Sequence, residues 1–358
     1  MRHRISPALL AAALTAAVAG PLLAQGTSLT GAGATFPQPI YQKWVIEYHT
    51  LHPDIQINYQ GIGSGGGIRQ FTSGTVDFGA SDGPMNDSQI AAVPNSNVIH
   101  IPTVLGAVVP TYNIPGVTAT LRFNGEVLAA IYLGQITKWN DSRITSLNPG
   151  VSLPDQDIVT VHRSDGSGTN YIFTDYLSKV SPQFASQVGK GTSVNWPNGL
   201  GGQGNPGVAS TVSRTPGAIG YVELIYAIQN HISYGTMQNA AGRWIEASLA
   251  STTAAAGSAH FTPDTDFRVS ITNAPGADAY PIASFTWLLL QRRMDMDPAK
   301  ARTLLEFVWW AVHHGGQQYC ESLSYAPLPA PVVRLEEAAL KRITNRGRPV
   351  LPANYRGN

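Results

Sequence analysis

A short apolar run, Ile158 to His162, empties into Arg163-Ser164-Asp165-Gly166-Ser167-Gly168-Thr169, and an amphipathic run (Tyr171, Ile172, Phe173, Tyr176, Leu177) leaves it. The pattern predicts a strand, a tight glycine turn and a helix, with Ser167 spaced to cap the helix. Such a turn presents unpaired backbone N–H groups and the positive end of a helix dipole, which together suit an anion. Arg163 adds a permanently charged planar fork that can meet two oxygens at once. Asp165, two residues on, has the charge and spacing to hold that guanidinium flat. Taken alone, the stretch is equally an ordinary capped helix with Arg163 in a surface ion pair.

Two more helix starts of this kind precede it. Thr30 to Pro37 is a small-residue loop running into a helix, with Pro37 in the first turn and Thr35 at or near the N-cap. Ile40, Trp44, Tyr48 and Leu51 form one apolar face, Pro53 stops the helix, and Ile55, Ile57 and Tyr59 alternate as a half-buried strand. That strand enters Gly61 to Gly67, with Ser64 at the capping position of a short helix through Ile68 and Phe71. The same segment spells G-x-G-x-x-G, with Asp82 about twenty residues on. A helix this short makes no proper crossover, and three consecutive glycines inflate the chance of the match.

Val76 to Asp82 reads as a strand ending in a carboxylate. Gly79-Ala80-Ser81-Asp82-Gly83 also fits a nucleophile elbow. A carboxylate directly after the serine, however, would repel the charge that an oxyanion hole must stabilise. On spacing alone, Asp82 is equally a turn cap before Pro84.

The rest of the chain alternates in the same α/β manner. Val108 to Tyr112 is apolar before a turn at Asn113 to Gly116; Glu126 to Leu133 reads as a helix and Trp139 to Ile144 as a second short element. Asn195 to Gly207, dense in Gly and Pro, reads as an ordered surface loop, and Gly217 to Leu224 as a strand. Thr236 to Pro275 resists assignment; Ser251 to Ser258 is Ala-rich without periodicity. Ile282 to Leu290 is an apolar strand. A helix starts at Asp297-Pro298, buries Leu304, Leu305, Val308 and Trp309, and closes at His313 and His314. Those adjacent histidines point about 100° apart, so they form no two-ligand metal face. Val332 to Ile343 reads as a last helix, and Lys341, Arg342, Arg346 and Arg348 as a solvated basic tail.

Composition narrows the class. The 358 residues suffice for two ordinary domains, 43% are apolar, and 36 Gly with 25 Pro supply many turns. A net charge of +1 gives no bulk electrostatic case for nucleic acid or a membrane surface. Cys320 is the single cysteine, so neither an intrachain disulfide nor a cysteine metal cluster can form; it follows a helical pattern and is expected to be buried. Residues 1–24 read as a signal peptide. Arg2, His3 and Arg4 precede an apolar run from Ala8 to Ala19, Pro21 breaks it, and cleavage follows Ala24 or Gly26. No cysteine sits at that exit, so no lipid anchor is expected there.

Four stretches, taken in order, carry a resemblance. They are Gly31-Ala-Gly-Ala-Thr-Phe-Pro37, Tyr59-Gln-Gly-Ile-Gly-Ser64, Val76-Asp-Phe-Gly-Ala-Ser-Asp82 and Arg163-Ser-Asp-Gly-Ser-Gly-Thr169. Together they resemble the ligand loops of the periplasmic phosphate-binding proteins of Pst-type ABC importers. The likeness extends through Ile131 to Trp139, Leu147 to Gly150, Gly199 to Gly204 and Pro216 to Val222.

The resemblance implies an α/β, two-lobed periplasmic-binding-protein fold of type II. Each lobe would be a mixed sheet flanked by helices, with the ligand in the interlobe cleft. Crossings near Val104 and Pro281 would make lobe 1 from residues 27–104 plus 282–358 and lobe 2, inserted, from 105–281. It implies phosphate ligands at Thr35, Phe36, Ser64, Asp82, Arg163, Ser167, Gly168 and Thr169. Hydroxyls would come from Thr35, Ser64, Ser167 and Thr169, and backbone N–H groups from Phe36, Gly168 and Thr169. Asp82 would accept a hydrogen bond from mono- or dibasic phosphate and exclude sulfate, which has no proton to donate. Gly65 departs from the family, which often has a second serine there, leaving one peripheral hydrogen bond in question. The resemblance further implies no catalysis, cofactor or metal, a membrane permease of the importer as partner, no nucleic acid, a monomer, and the periplasm. Two alternatives stay open: a phosphatase or serine hydrolase using Ser81 or Ser167 with a histidine such as His162, and a receptor for another tetrahedral oxyanion.

Overall fold

The computed structural model describes residues 26–261 and 265–357. The signal-peptide reading, residues 1–24, lies outside the described residues. Among those described, no helix is long and apolar enough to cross a membrane.

The chain runs through β1 (Thr27–Gly33), α1 (Gln38–Leu51), β2 (Ile55–Gly61), α2 (Ser64–Thr72), β3 (Phe78–Ser81) and the long β4 (Ile99–Asn113). Then follow α3 (Gly125–Tyr132), β5 (Val159–Arg163), α4 (Gly168–Val180), β6 (Leu200–Gly202), α5 (Gly204–Arg214) and β7 (Ala218–Glu223). The last main elements are α6 (Leu249–Ala256), β8 (Ala283–Leu290), α7 (Pro298–Val312) and α8 (Ala330–Leu340). One mixed sheet runs in the order β2-β1-β3-β8-β4-β7-β5-β6. β1, β2 and β3 are mutually parallel, as are β7, β5 and β6, while β8 and β4 run antiparallel to their neighbours.

β4 explains how two parallel sets share one sheet. Its first part, residues 99–107, pairs with β8, and its second part, 108–113, pairs with β7. The two sets flank opposite halves of β4 and run in opposite directions, so the C-terminal ends of both face its middle. Ligands in open α/β sheets gather at such strand ends. At that point the β8–β4 register slips between Thr286 and Trp287, opposite Val104 and Pro102. Pro102 has no N–H to give the ladder, and a bulge absorbs the gap.

Trp44 and Tyr48 of α1 are buried, as the apolar face predicts, but Leu51 is exposed. Gly106, in the middle of β4, admits the Phe36 ring; a Cβ there would lie 2.4 Å from Phe36 Cζ. Complete burial of that ring is worth about 1.5–3 kcal/mol. Cys320 is buried and its thiol is pushed up to about 12 by loss of solvent.

Several local expectations need correction. Thr35 does not cap α1, whose N-cap position is Pro37, and Gly63 rather than Ser64 occupies the N-cap of α2. Both hydroxyls are engaged elsewhere, as described below. The segment read as a surface loop, Asn195 to Gly207, contains β6 and the start of α5. The Ala-rich segment forms α6, held by a capping box in which Ser248 and Ser251 exchange bonds with each other's backbone N–H. Helix propensity and the cap make this helix without an amphipathic stripe. The basic tail is partly ordered: Thr344–Asn345 pairs with Arg293–Met294 and with Arg348–Pro349, and Arg346 Nε meets Asp295 at 2.9 Å.

Candidate functional site

Five strand ends converge. β1 delivers Thr35, β2 delivers Ser64, β3 delivers Asp82, β5 delivers Arg163 and the turn after it, and β6 leads into the first residues of α5. Ser64, Asp82, Arg163, Ser167 and Thr169 are all at most 5% exposed, and Thr35 is 4% exposed. So many polar side chains are tolerated in an interior only if they are hydrogen-bonded or face a ligand.

Ser64 Oγ lies at the centre of one group. It accepts from Gly168 N at 3.0 Å and from Asp82 N at 3.2 Å, and sits 3.5 Å from Asp82 Oδ2. Asp82 Oδ1 accepts from Thr286 Oγ1 at 2.9 Å. Thr286 sits at the β8 bulge. Burial raises the Asp82 carboxyl to about 7; the Thr286 hydroxyl, the Arg163 charge and Ser64 oppose the rise, and Asp165 adds to it. Asp82 therefore changes charge near neutral pH.

Arg163 and Asp165 form the pair that their spacing predicts. Nε donates to Oδ1 at 2.8 Å and Nη2 to Oδ2 at 2.6 Å, a bidentate fork with the Arg163 side chain 1% exposed. Asp165 Oδ1 also accepts from Gly204 N at 3.0 Å. Burial tends to raise the Asp165 carboxyl, but the Arg163 bonds and charge prevail and hold it below its usual range.

Ser167 caps α4 as predicted, its Oγ accepting from Asn170 N at 3.0 Å. Gly168 and Thr169 are the first residues of that helix. Thr35 is fixed at three points: its Oγ1 accepts from Asn205 N and Asn205 Nδ2, each at 3.1 Å, and its carbonyl from Tyr226 Oη. The Phe36 carbonyl accepts from Tyr325 Oη. Asn205 Nδ2 also reaches Thr169 Oγ1 at 3.0 Å. All eight candidate ligand residues thus belong to one connected neighbourhood.

Asn205, Thr286, Tyr226 and Tyr325 carry no local sequence signal for such a role. Asn205 lies in Gly-Gln-Gly-Asn-Pro-Gly, whose composition reads as a loop. Thr286 stands out only as a hydroxyl within an otherwise strongly apolar strand.

Among the described residues, no histidine is hydrogen-bonded to Ser81 or Ser167. Ser81 Oγ donates to the Gly83 carbonyl, and Ser167 Oγ is occupied by its capping bond. His162 Nδ1 donates to the Arg163 carbonyl at 3.1 Å, and its ring stacks on Trp196. Among the described residues, no group of three or more His, Cys, Asp or Glu could hold a metal ion.

The PBP superfamily domain matches residues 17–312 of the chain. A protein of Xylella fastidiosa (strain 9a5c) called "Phosphate-binding protein PstS" is 45% identical over 315 residues, covering 88% of this chain and 85% of its own length. The protein of the same name from Pasteurella multocida (strain Pm70) is 43% identical over 321 residues, covering 89% and 92%. Among solved structures, the ancestral soluble variant of the human phosphate binding protein matches with a TM-score of 0.69 at 21% identity, over 87% of this chain and 93% of that one. At that identity the likeness speaks for the fold.

Proposed function

The chain belongs to the PBP superfamily and, within it, to the PstS phosphate-binding proteins, and from that premise we propose that it holds one inorganic phosphate where the ends of β1, β2, β3, β5 and β6 meet. Its family are substrate-binding proteins rather than enzymes, and they act with an ABC permease. In our reading this chain is a periplasmic monomer that delivers phosphate to such a permease.

The ligands are Thr35, Phe36, Ser64, Asp82, Arg163, Ser167, Gly168 and Thr169, with Asp165 orienting the Arg163 guanidinium. The two lobes comprise residues 27–104 with 282–358 and residues 105–281, joined where β4 and β8 pass the site. On that division the bond from Gly168 N to Ser64 Oγ spans the cleft, the contact expected of a closed form.

The observation that carries the reading is the buried Asp82 carboxylate set against Ser64 and the N-terminus of α4. A site for a fully deprotonated anion gains nothing from an acceptor there. Mono- or dibasic phosphate brings its own O–H and donates a hydrogen bond to Asp82. Sulfate brings none and leaves a buried carboxylate facing an anion, which is costly. Rejection by a missing donor is the stronger form of discrimination.

Titration calorimetry on protein stripped of bound anion tests this at pH 8. Tight one-to-one heat with phosphate and none with sulfate is expected, and Asp82→Asn should begin to accept sulfate. Folded, anion-free protein that takes up no phosphate would sink the reading.

A further inference from the structure

Asn205 is the second residue of α5, fully buried, and it touches both threonines of the site. Its amide can face only one way. The backbone N–H of Glu223, which can only donate, lies 2.9 Å from Asn205 Oδ1. Nδ2 must therefore be the atom toward Thr35 Oγ1 and Thr169 Oγ1, and its two protons serve one hydroxyl each.

A hydroxyl carries one proton and two lone pairs. At Thr35 both lone pairs are taken, by the backbone N–H and by the side-chain amide of Asn205. The Thr35 proton is left to point away from Asn205, toward whatever acceptor the cleft supplies. Thr169 has one lone pair engaged in the same way. Ser64 also has both lone pairs filled, by the N–H groups of Gly168 and Asp82, but its own proton goes to Asp82 Oδ2 at 3.5 Å.

We propose that Asn205 is a positioning residue for anion binding: by occupying both lone pairs of Thr35 it makes that hydroxyl an obligate donor toward the ligand, and by occupying one lone pair of Thr169 it biases that hydroxyl the same way. The proposal rests on the phosphate reading of the site. A freely turning hydroxyl presents a lone pair as readily as a proton, and a lone pair facing an anion repels it. Holding the polarity in advance removes that loss and the entropy of choosing it. In the lobe assignment above, Thr35 belongs to one lobe and both Asn205 and Thr169 to the other. The locked polarity of Thr35 therefore exists only when the lobes are together, which couples donor orientation to closure.

Asn205→Asp tests the polarity directly. It keeps the shape and the acceptor for Glu223 N–H but replaces the donor by a carboxylate, so both threonine protons turn toward it. Phosphate affinity at pH 8 should fall on the order of 100-fold, against about 10-fold for Asn205→Ala, which only removes the bonds. Measured relative to wild type, Asn205→Asp should recover toward pH 5, where the introduced carboxyl regains a proton to donate, while Asn205→Ala should keep a constant deficit. A second measurement covers the case of a variant that folds poorly. Asn205→Ala should cost less in a Thr35→Val background, where the hydroxyl it acts through is already gone. If wild type binds phosphate but the Asn205→Asp deficit is the same at both pH values, or the Asn205→Ala loss is equal in both backgrounds, the positioning role is overturned. If wild type does not bind phosphate, it is the reading of the site that fails.

Discussion

Ser64 Oγ accepts a 3.0 Å hydrogen bond from the backbone N–H of Gly168, 104 residues further along the chain. The bond joins the starts of α2 and α4 and brings Asp82 between them.

That contact requires a glycine. A Cβ on residue 168 would lie 2.5 Å from Asp82 Oδ2 and 2.6 Å from Asp82 N, a clash that includes backbone and that no rotamer relieves. Gly168→Ala should therefore hold the two helix starts apart. Phosphate affinity should fall by on the order of 100-fold, because several charge-assisted bonds lose their geometry together. Thermal stability without phosphate should change little, since most of the buried core lies elsewhere. Calorimetry and melting of the same variant check both halves. An unchanged affinity would mean that the anion does not depend on this approach.

Asp82 makes anion-free stability fall as pH rises. Its folded carboxyl titrates at about 7, whereas in the unfolded chain it titrates near its ordinary value of about 4. Below pH 4 both states are protonated and the group costs nothing. Between pH 4 and 7 the unfolded state ionises first, so stability falls, and above pH 7 the full cost is present. Asp82→Asn should match wild type near pH 4, exceed it increasingly up to pH 7, and hold a constant lead above that. Melting temperatures across that range in phosphate-free buffer decide it; a lead that shrinks with rising pH would contradict the assignment.

If Asp82 excludes sulfate as proposed, the same titration predicts when that exclusion fails. Protonated Asp82 is a donor and can meet a sulfate oxygen; ionised Asp82 repels it. Sulfate should compete with phosphate measurably at pH 5.5 and not at pH 8.5. Competition that is equal at both pH values would remove Asp82 from the discrimination.

Much of this site was legible because its chemistry is local. The turn from Arg163 to Thr169 carries its own cap, ion pair and helix start within seven residues, and the structure reproduces all three. Local spacing points to Thr35 as a cap, or near one, and to Ser64 as a cap, whereas their partners, Asn205 and Gly168, lie 170 and 104 residues away. No local spacing encodes that. Asn205 was hidden for a related reason. Gly and Pro around it suggest an exposed loop, but the same small residues let β6 and α5 pack closely and bury the asparagine. Thr286 sits at a bulge opposite Val104 and Pro102 of another strand, a pairing its own segment does not encode.

Asp165 should matter more to the empty protein than to the loaded one. Arg163 is nearly inaccessible to solvent, and its fork is neutralised by Asp165. Asp165→Asn leaves a buried cation without its counter-charge, which costs about 3–5 kcal/mol when such a pair is broken in an interior. Phosphate would restore part of the balance, so the variant should show a larger rise in melting temperature on adding phosphate than wild type does. A smaller rise would mean that the Arg163 charge does not face the anion.

The helix that opens on Ser167, Gly168 and Thr169 is anchored further along by Asp175. Its carboxylate, buried in α4, meets Lys190 Nζ at 2.8 Å, Lys179 Nζ at 3.1 Å, and the Ser270 and Thr272 hydroxyls at 2.6 Å each. Burial works to raise this carboxyl, but the Lys190, Ser270 and Thr272 bonds and the Lys179 charge outweigh it and bring it down to about 2. A carboxyl depressed on folding stabilises fully above its unfolded value near 4, and that stability drains away as pH falls toward 2. Asp175→Asn should therefore melt several degrees below wild type at pH 7. The difference should narrow between pH 4 and 2 as wild type loses the same charge. Because the anchor holds α4 rather than the ligand, phosphate affinity measured well below the melting temperature should change less than fivefold. A large affinity loss with unchanged melting would show that Asp175 acts on the site itself and not through the seating of the helix.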